Sequence, residues 1–133
     1  MLGIGELSRT TGCPIETIRY YERLGLLDKP HRTEGGHRLY NLTQQKRLQF
    51  IVKARQLGFS LEKTRELLSL SENNTRSCDD ALQLVENNVA DIQQKITQLQ
   101  LMEKSLRELA GGCRSCCPNA KAPDCSIIDA LAH

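Results

Sequence analysis

The 133 residues contain no tryptophan, two phenylalanines and three tyrosines. Aromatic side chains carry much of the burial in a large core, so one broad core spanning the whole chain is excluded. All five aromatics lie early, at Tyr20, Tyr21, Tyr40, Phe50 and Phe59. The first half of the chain can therefore make a small globule, while the rest is expected to build an elongated aliphatic seam. Long apolar runs are missing too. None approaches the roughly 18 residues that span a bilayer, and no charged-then-apolar segment opens the chain, so no membrane contact and a cytoplasmic location are expected. A large net charge is the third absence. Lys plus Arg number 18 against 16 Asp plus Glu, a balance of +2, which excludes a basic tail or a bulk polyelectrolyte binder.

That balance conceals an asymmetry. Residues 1–70 hold 12 basic and 7 acidic side chains, whereas residues 71–133 hold 6 and 9. A basic half joined to an acidic half is the pattern of a nucleic-acid-binding head on a body with another task. The six cysteines, in a cytoplasmic chain, read as metal ligands or reactive thiols rather than disulfides.

Residues 4–11 (IGELSRTT) predict a short helix stopped by Gly12 and Pro14, and residues 15–24 (IETIRYYERL) a second one. Two short helices across a tight Gly-containing turn read as a helix-turn-helix, a pattern that an ordinary αα-corner shares. In residues 28–40 (DKPHRTEGGHRLY), Gly35-Gly36 sits between two short extended runs and predicts a hairpin tip. His31, Arg32, His37 and Arg38 flank that tip, which suits a wing lying on phosphate. Helices are predicted over 43–57 and 61–70, separated by Gly58 and capped by Ser60, and the polar stretch 71–77 (SENNTRS) marks the end of the head.

Beyond that boundary Leu82, Val85, Val89, Ile92, Ile96 and Leu99 alternate steps of three and four, and Met102, Leu106 and Leu109 continue the stripe. A narrow apolar stripe over four heptads predicts a coiled coil. Such a helix buries too little alone to persist in water, so a second copy of the chain is the expected partner. Gly111-Gly112 are expected to end it.

The segments GIGELSRTTGCPIETIRYYERLGLL, RTEGGHRLY and ARQLGFSLEKTRELL, in that order, resemble the MerR family of transcription regulators. The coiled-coil helix and the cysteine-rich tail resemble its metal-sensing branch, particularly the zinc-, cadmium- and lead-responsive members. The resemblance implies a mainly α fold with a small β wing: a winged helix-turn-helix head, a long antiparallel dimerisation helix and a metal-binding tail. It implies a homodimer on double-stranded operator DNA within an overlong promoter spacer. Inducer binding then distorts the DNA so that RNA polymerase can use the promoter of a metal-resistance or efflux gene. By position, Thr17, Arg19 and Tyr20 resemble recognition-helix contacts, Arg32, Arg38 and Tyr40 wing contacts, and Arg55 a backbone contact. Activation by deforming DNA needs firm anchoring on both sides of the bend, which distributed Arg and Tyr donors suit.

The tail GGCRSCCPNAKAPDCSIIDAL places Cys113, Cys116, Cys117 and Cys125 close together among Gly, Ser, Pro, Asn and Lys, a poor setting for buried structural thiols. Cys78 lies 35 residues before Cys113, so a helix between them holds them ~50 Å apart. They cannot share an ion within one chain, but in an antiparallel dimer Cys78 of one chain lies beside Cys113 of the other. In the family, a cysteine at the start of this helix marks sensors of divalent ions, and Cys113 and Cys125 resemble the shared loop ligands. The loop here is longer than usual, carries the extra pair Cys116-Cys117, and has no histidine before His133. An all-thiolate site suits Cd(II), Pb(II) or Hg(II) and accommodates Zn(II). Cys13, in the turn of the head, reads as a small buried filler.

The expected organisation is a winged head over 1–70, a linker over 71–78, a coiled-coil helix over 79–110, and a metal-binding loop with a short helix over 111–133. The competing reading is a redox sensor of the same family with a tail iron–sulfur cluster, which would leave Cys78 without a role. A thiol–disulfide enzyme built on Cys113-Arg-Ser-Cys116 would need a βαβ setting that the pattern lacks, so no enzyme is expected.

Overall fold

The computed structural model describes residues 1–75, 77–116, 119, 121 and 125–132, without the side chains of Ser115 and Cys116. In chain order it contains α1 (Ile4–Thr11), α2 (Ile15–Arg23), β1 (His31–Arg32), β2 (Arg38–Leu39), α3 (Leu42–Gln56), α4 (Leu61–Ser71), α5 (Cys78–Cys116) and α6 (Ser126–Ala132). Two compact units divide it, Met1–Val85 and Glu86–His133.

In the first unit, local chemistry sets the turns. Gly12 takes φ 73°, a left-handed conformation that closes α1, and its N–H donates to the Ser8 carbonyl at 2.9 Å. Pro14 precedes the first residue of α2, so the helix-turn-helix follows from Gly-Cys-Pro as expected. Asn41 and Gln44 form a reciprocal capping box on α3, and the Ser60 hydroxyl accepts from the Lys63 N–H on α4. The hairpin pairs His31 with Leu39 and Arg32 with Arg38, antiparallel. Its turn is closed by Thr33, whose carbonyl accepts from the Gly36 N–H at 2.9 Å. Leu7, Ile18, Tyr21, Leu26, Leu27, Tyr40, Leu48, Ile51 and Leu68 make the core, with Cys13 buried beside them as the small filler expected.

This unit runs past the polar boundary at 71–77 because α5 begins against α4. Leu84 is half-buried, and a groove is lined by Glu66, Ser69 and Leu70 on one side and Asp80, Gln83 and Leu84 on the other. Along α5 the expected stripe is bare: Leu82, Val85, Val89, Ile92, Ile96, Leu99, Met102 and Leu106 are 41–65% exposed.

One expectation fails. Gly111-Gly112 do not end the helix, which continues to Cys116 for 39 residues in all. Glycine costs only about 1 kcal/mol relative to alanine in a helix interior and keeps its N–H, so a pair weakens the ladder without breaking it. The glycines with positive φ are Gly12, Gly25, Gly36 and Gly58; Gly111 and Gly112 are not among them, and so do not take the left-handed conformation of a C-terminal cap. Cys113 therefore sits in the last turns of a helix rather than in a loop. Among the described residues, no helix is long and apolar enough to cross a membrane.

Candidate nucleic-acid interface and thiol site

In α2, Ile18 and Tyr21 turn into the core, which leaves Arg19, Tyr20 and Arg23 on the exposed side. Arg19, Glu22 and Arg23 are three and four residues apart and so share one face. Opposite them stands the hairpin. A cleft of about 470 Å³ lies between, lined by Arg19, Glu22, Arg23, Lys29, Pro30, Arg32 and Arg38. Five cations around one concave surface favour an anion there, and the placement between an exposed helix and a hairpin suits a phosphate backbone. The Arg23 guanidinium also lies 5.9 Å from the centre of the Tyr20 ring, within cation–π range.

Three of the expected contacts, Arg19, Arg32 and Arg38, thus converge on the cleft. Thr17 and Arg55 meet elsewhere, in a second hollow of about 280 Å³ that also includes Pro14 and Gln56. Arg55 is already engaged with its own chain, donating from Nη1 to the Phe59 carbonyl at 2.8 Å. Burial pushes the Cys13 thiol in this hollow upward, away from the reactive thiolate.

Tyr40 departs from its expected role as a wing contact. It is fully buried, and its hydroxyl donates to Glu22 Oε1. Burial, first, and the Glu22 carboxylate, second, push the phenol well above its ordinary value, only partly offset by Arg38 and Arg19. Tyr40 supports the wing from beneath instead of touching a ligand. Glu22, Arg23 and Lys29 were absent from the residues expected from the sequence. The helical spacing from Arg19 was the available signal for the first two, and proximity to the hairpin was the only one for Lys29.

At the other end of the chain, the Sγ atoms of Cys113 and Cys125 stand 3.6 Å apart, both residues half-buried. That exceeds the ~2.05 Å of a disulfide. Two thiolates on a tetrahedral ion, each at ~2.3 Å, lie roughly 3.8 Å apart, so the pair matches one edge of such a site. Cys113 lies in the last turn of α5, and Cys125 immediately precedes α6, its carbonyl accepting from the Asp129 N–H at 3.0 Å. Cys117 lies outside the described residues, as does the Cys116 side chain. Cys78 opens α5 and is exposed, 35 residues along the same helix from Cys113. Among the described residues no group of three or more His, Cys, Asp or Glu converges as a metal site. The thiol pair alone offers fewer donors than a tetrahedral ion takes.

Comparison with known proteins covers nearly the whole chain. Residues 2–71 match the description "MerR HTH family regulatory protein", and residues 45–109 match "MerR, DNA binding". The HTH-type transcriptional regulator ZntR of Escherichia coli (strain K12) is 40% identical over 132 residues, covering 98% of this chain and 92% of its own. Among solved structures, the transcription regulator PbrR691 from Ralstonia metallidurans CH34 in complex with lead(II) superposes with a TM-score of 0.81. It is 34% identical, covering 98% of this chain and 99% of its own. MerR from Bacillus megaterium MB1 in complex with mercury(II) gives a TM-score of 0.67 at 35% identity, covering 99% and 98%. Matched over more than half its length by one family and over nearly all of it by these relatives, the chain belongs to the MerR family of helix-turn-helix regulatory proteins.

Proposed function

We propose that this chain is a metal-responsive transcription regulator whose homodimer binds operator DNA through two basic clefts and binds a soft divalent ion through thiolates at the ends of α5. The observation that carries the reading is the Cys113–Cys125 pair, 3.6 Å apart in a chain whose head carries a five-cation cleft. Relatives solved with lead(II) and mercury(II) support the choice of a soft ion.

The donors assigned to the ion are Cys113, Cys125, Cys78 of the partner subunit and one of Cys116 and Cys117. When bound, the ion supplies a charge-compensated cross-link between thiolates of two chains. The chain's own residues do the rest. The bare stripe of α5 supplies the dimer seam, because eight exposed apolar residues at heptad spacing are stable only when covered. Arg19, Arg32 and Arg38, with Arg23 and Lys29, hold the phosphate backbone, while Thr17, Tyr20 and Arg55 extend the contact surface. A ligand set divided between chains makes ion binding sensitive to how the two subunits sit, and a DNA grip divided between two heads is sensitive to the same variable. RNA polymerase at the distorted promoter is the partner that reads the change.

Anaerobic titration with Zn(II), Cd(II), Pb(II) and Hg(II), followed by run-off transcription from the neighbouring promoter, tests this. Transcription should rise with at least one ion. Saturating ion binding with unchanged transcription contradicts the proposal, and iron with a coloured chromophore in anaerobically purified protein favours the iron–sulfur alternative instead.

A further inference from the structure

Glu22 is out of place on electrostatic grounds. It is the one carboxylate among the described residues lining a cleft that five cations prepare for phosphate, and a negative charge there opposes DNA. Its side chain is only 8% exposed, so it is built into the site. Both oxygens are committed: Oε1 accepts from the Tyr40 hydroxyl, and Oε2 lies 3.9 Å from Arg38 Nη1. Arg38 lies on β2 and Tyr40 follows two residues later, just past the strand in extended backbone, so both side chains leave the chain on the same side. Tyr40 is itself immobilised. Its backbone pairs with Leu2 in both directions, at 3.0 and 2.7 Å, and Gln45 Nε2 donates to its carbonyl at 3.1 Å.

We infer that Glu22 is a positioning residue that sets operator specificity: anchored through Tyr40, it aims the Arg38 guanidinium of the wing in register with Arg19 of α2, at the expense of attraction for DNA in general. An untethered arginine reaches any nearby phosphate, whereas a tethered one meets only the phosphate that a particular duplex geometry presents. Glu22 thus has opposite effects on two quantities. Its charge weakens binding to all DNA, and its hold on Arg38 strengthens binding to the operator.

The inference rests on the cleft being the DNA interface, and the test separates the two. Full-length wild type and Glu22→Gln, both metal-free, are titrated with the duplex that wild type selects from a random-sequence pool and with a random duplex of equal length. Glutamine still accepts from the Tyr40 hydroxyl but exerts no charge on Arg38. Operator affinity should fall about threefold, the scale of a lost ion pair with a partly exposed arginine. Affinity for random duplex should rise about threefold as the opposing charge is removed. In an Arg38→Gln background, Glu22→Gln should cost nothing further at the operator. Equal shifts in one direction on both duplexes overturn the inference, as does an undiminished operator loss in the Arg38→Gln background. Should circular dichroism show Glu22→Gln unfolded, Arg38→Lys carries the test, because lysine keeps the charge but not the planar fork. Both affinities should then fall, the operator's several-fold more than the random duplex's, because only the operator contact uses the aimed planar fork, and equal losses on both overturn the inference. A wild type that selects no duplex contradicts the DNA-binding reading itself.

Discussion

Arg38 and Tyr40 stand two residues apart on the wing and do different work. RLY at 38–40 reads as a run of phosphate donors, yet only Arg38 reaches the cleft while Tyr40 is fully buried. Nothing in three letters says that a glutamate eighteen residues earlier occupies the phenol. Cys13 was legible, because a cysteine between Gly12 and Pro14 in a tight turn has little room to be anything but a filler. The Tyr40–Glu22 bond has a consequence for stability. The folded head keeps the phenol protonated above its ordinary value near 10. The contribution is therefore complete below that pH and is lost as pH rises, since the unfolded chain releases the proton first. Tyr40→Phe should cost about 1–2 kcal/mol at neutral pH by stranding a buried carboxylate. It should also flatten the decline in stability expected of wild type as pH rises above about 10 in denaturant titrations. Parallel decline in the two proteins across that range contradicts the assignment.

At the scale of the element, the sequence was far more informative. Caps are local chemistry, so Gly12, Ser60 and the hairpin glycines mark boundaries that the structure reproduces. The end of α5 lies beyond the paired glycines because they are weak helix formers rather than stop signals. What stops a helix is a residue that takes left-handed φ or lacks an N–H, and neither Gly111 nor Gly112 has positive φ. The same observation yields a prediction. A Cβ built at Gly111 or Gly112 meets nothing within 4 Å, so Gly111→Ala and Gly112→Ala should each stabilise the protein by about 1 kcal/mol. Thermal unfolding followed by helical circular dichroism measures it, and destabilisation by either alanine would mean that the helix ends earlier in solution.

At the scale of the whole molecule, the most consequential features are those a single chain leaves incomplete. The α5 stripe is exposed, and the tail brings together two thiols where an all-thiolate ion needs more. Heptad spacing made the first legible in sequence. The second was legible only as a cluster of cysteines, because which of them meet depends on the path between Cys113 and Cys125. Both gaps close at once if two chains pair antiparallel along α5, since Cys78 and Cys113 mark opposite ends of the same helix, ~50 Å apart at its rise per residue. The site would then sit where the subunits meet, and this is how a small ion would reach two DNA-binding heads.

A mixed dimer measures this directly. Neither a Cys78→Ser homodimer nor a Cys113→Ser homodimer would contain a complete site. Co-expressed with different tags and purified as the heterodimer, the two variants place both lesions in one site and leave the other intact. Anaerobic Cd(II) titration should therefore find no tight site in either homodimer and one tight site per heterodimer. A heterodimer that recovers no tight site would contradict a ligand set shared between antiparallel chains.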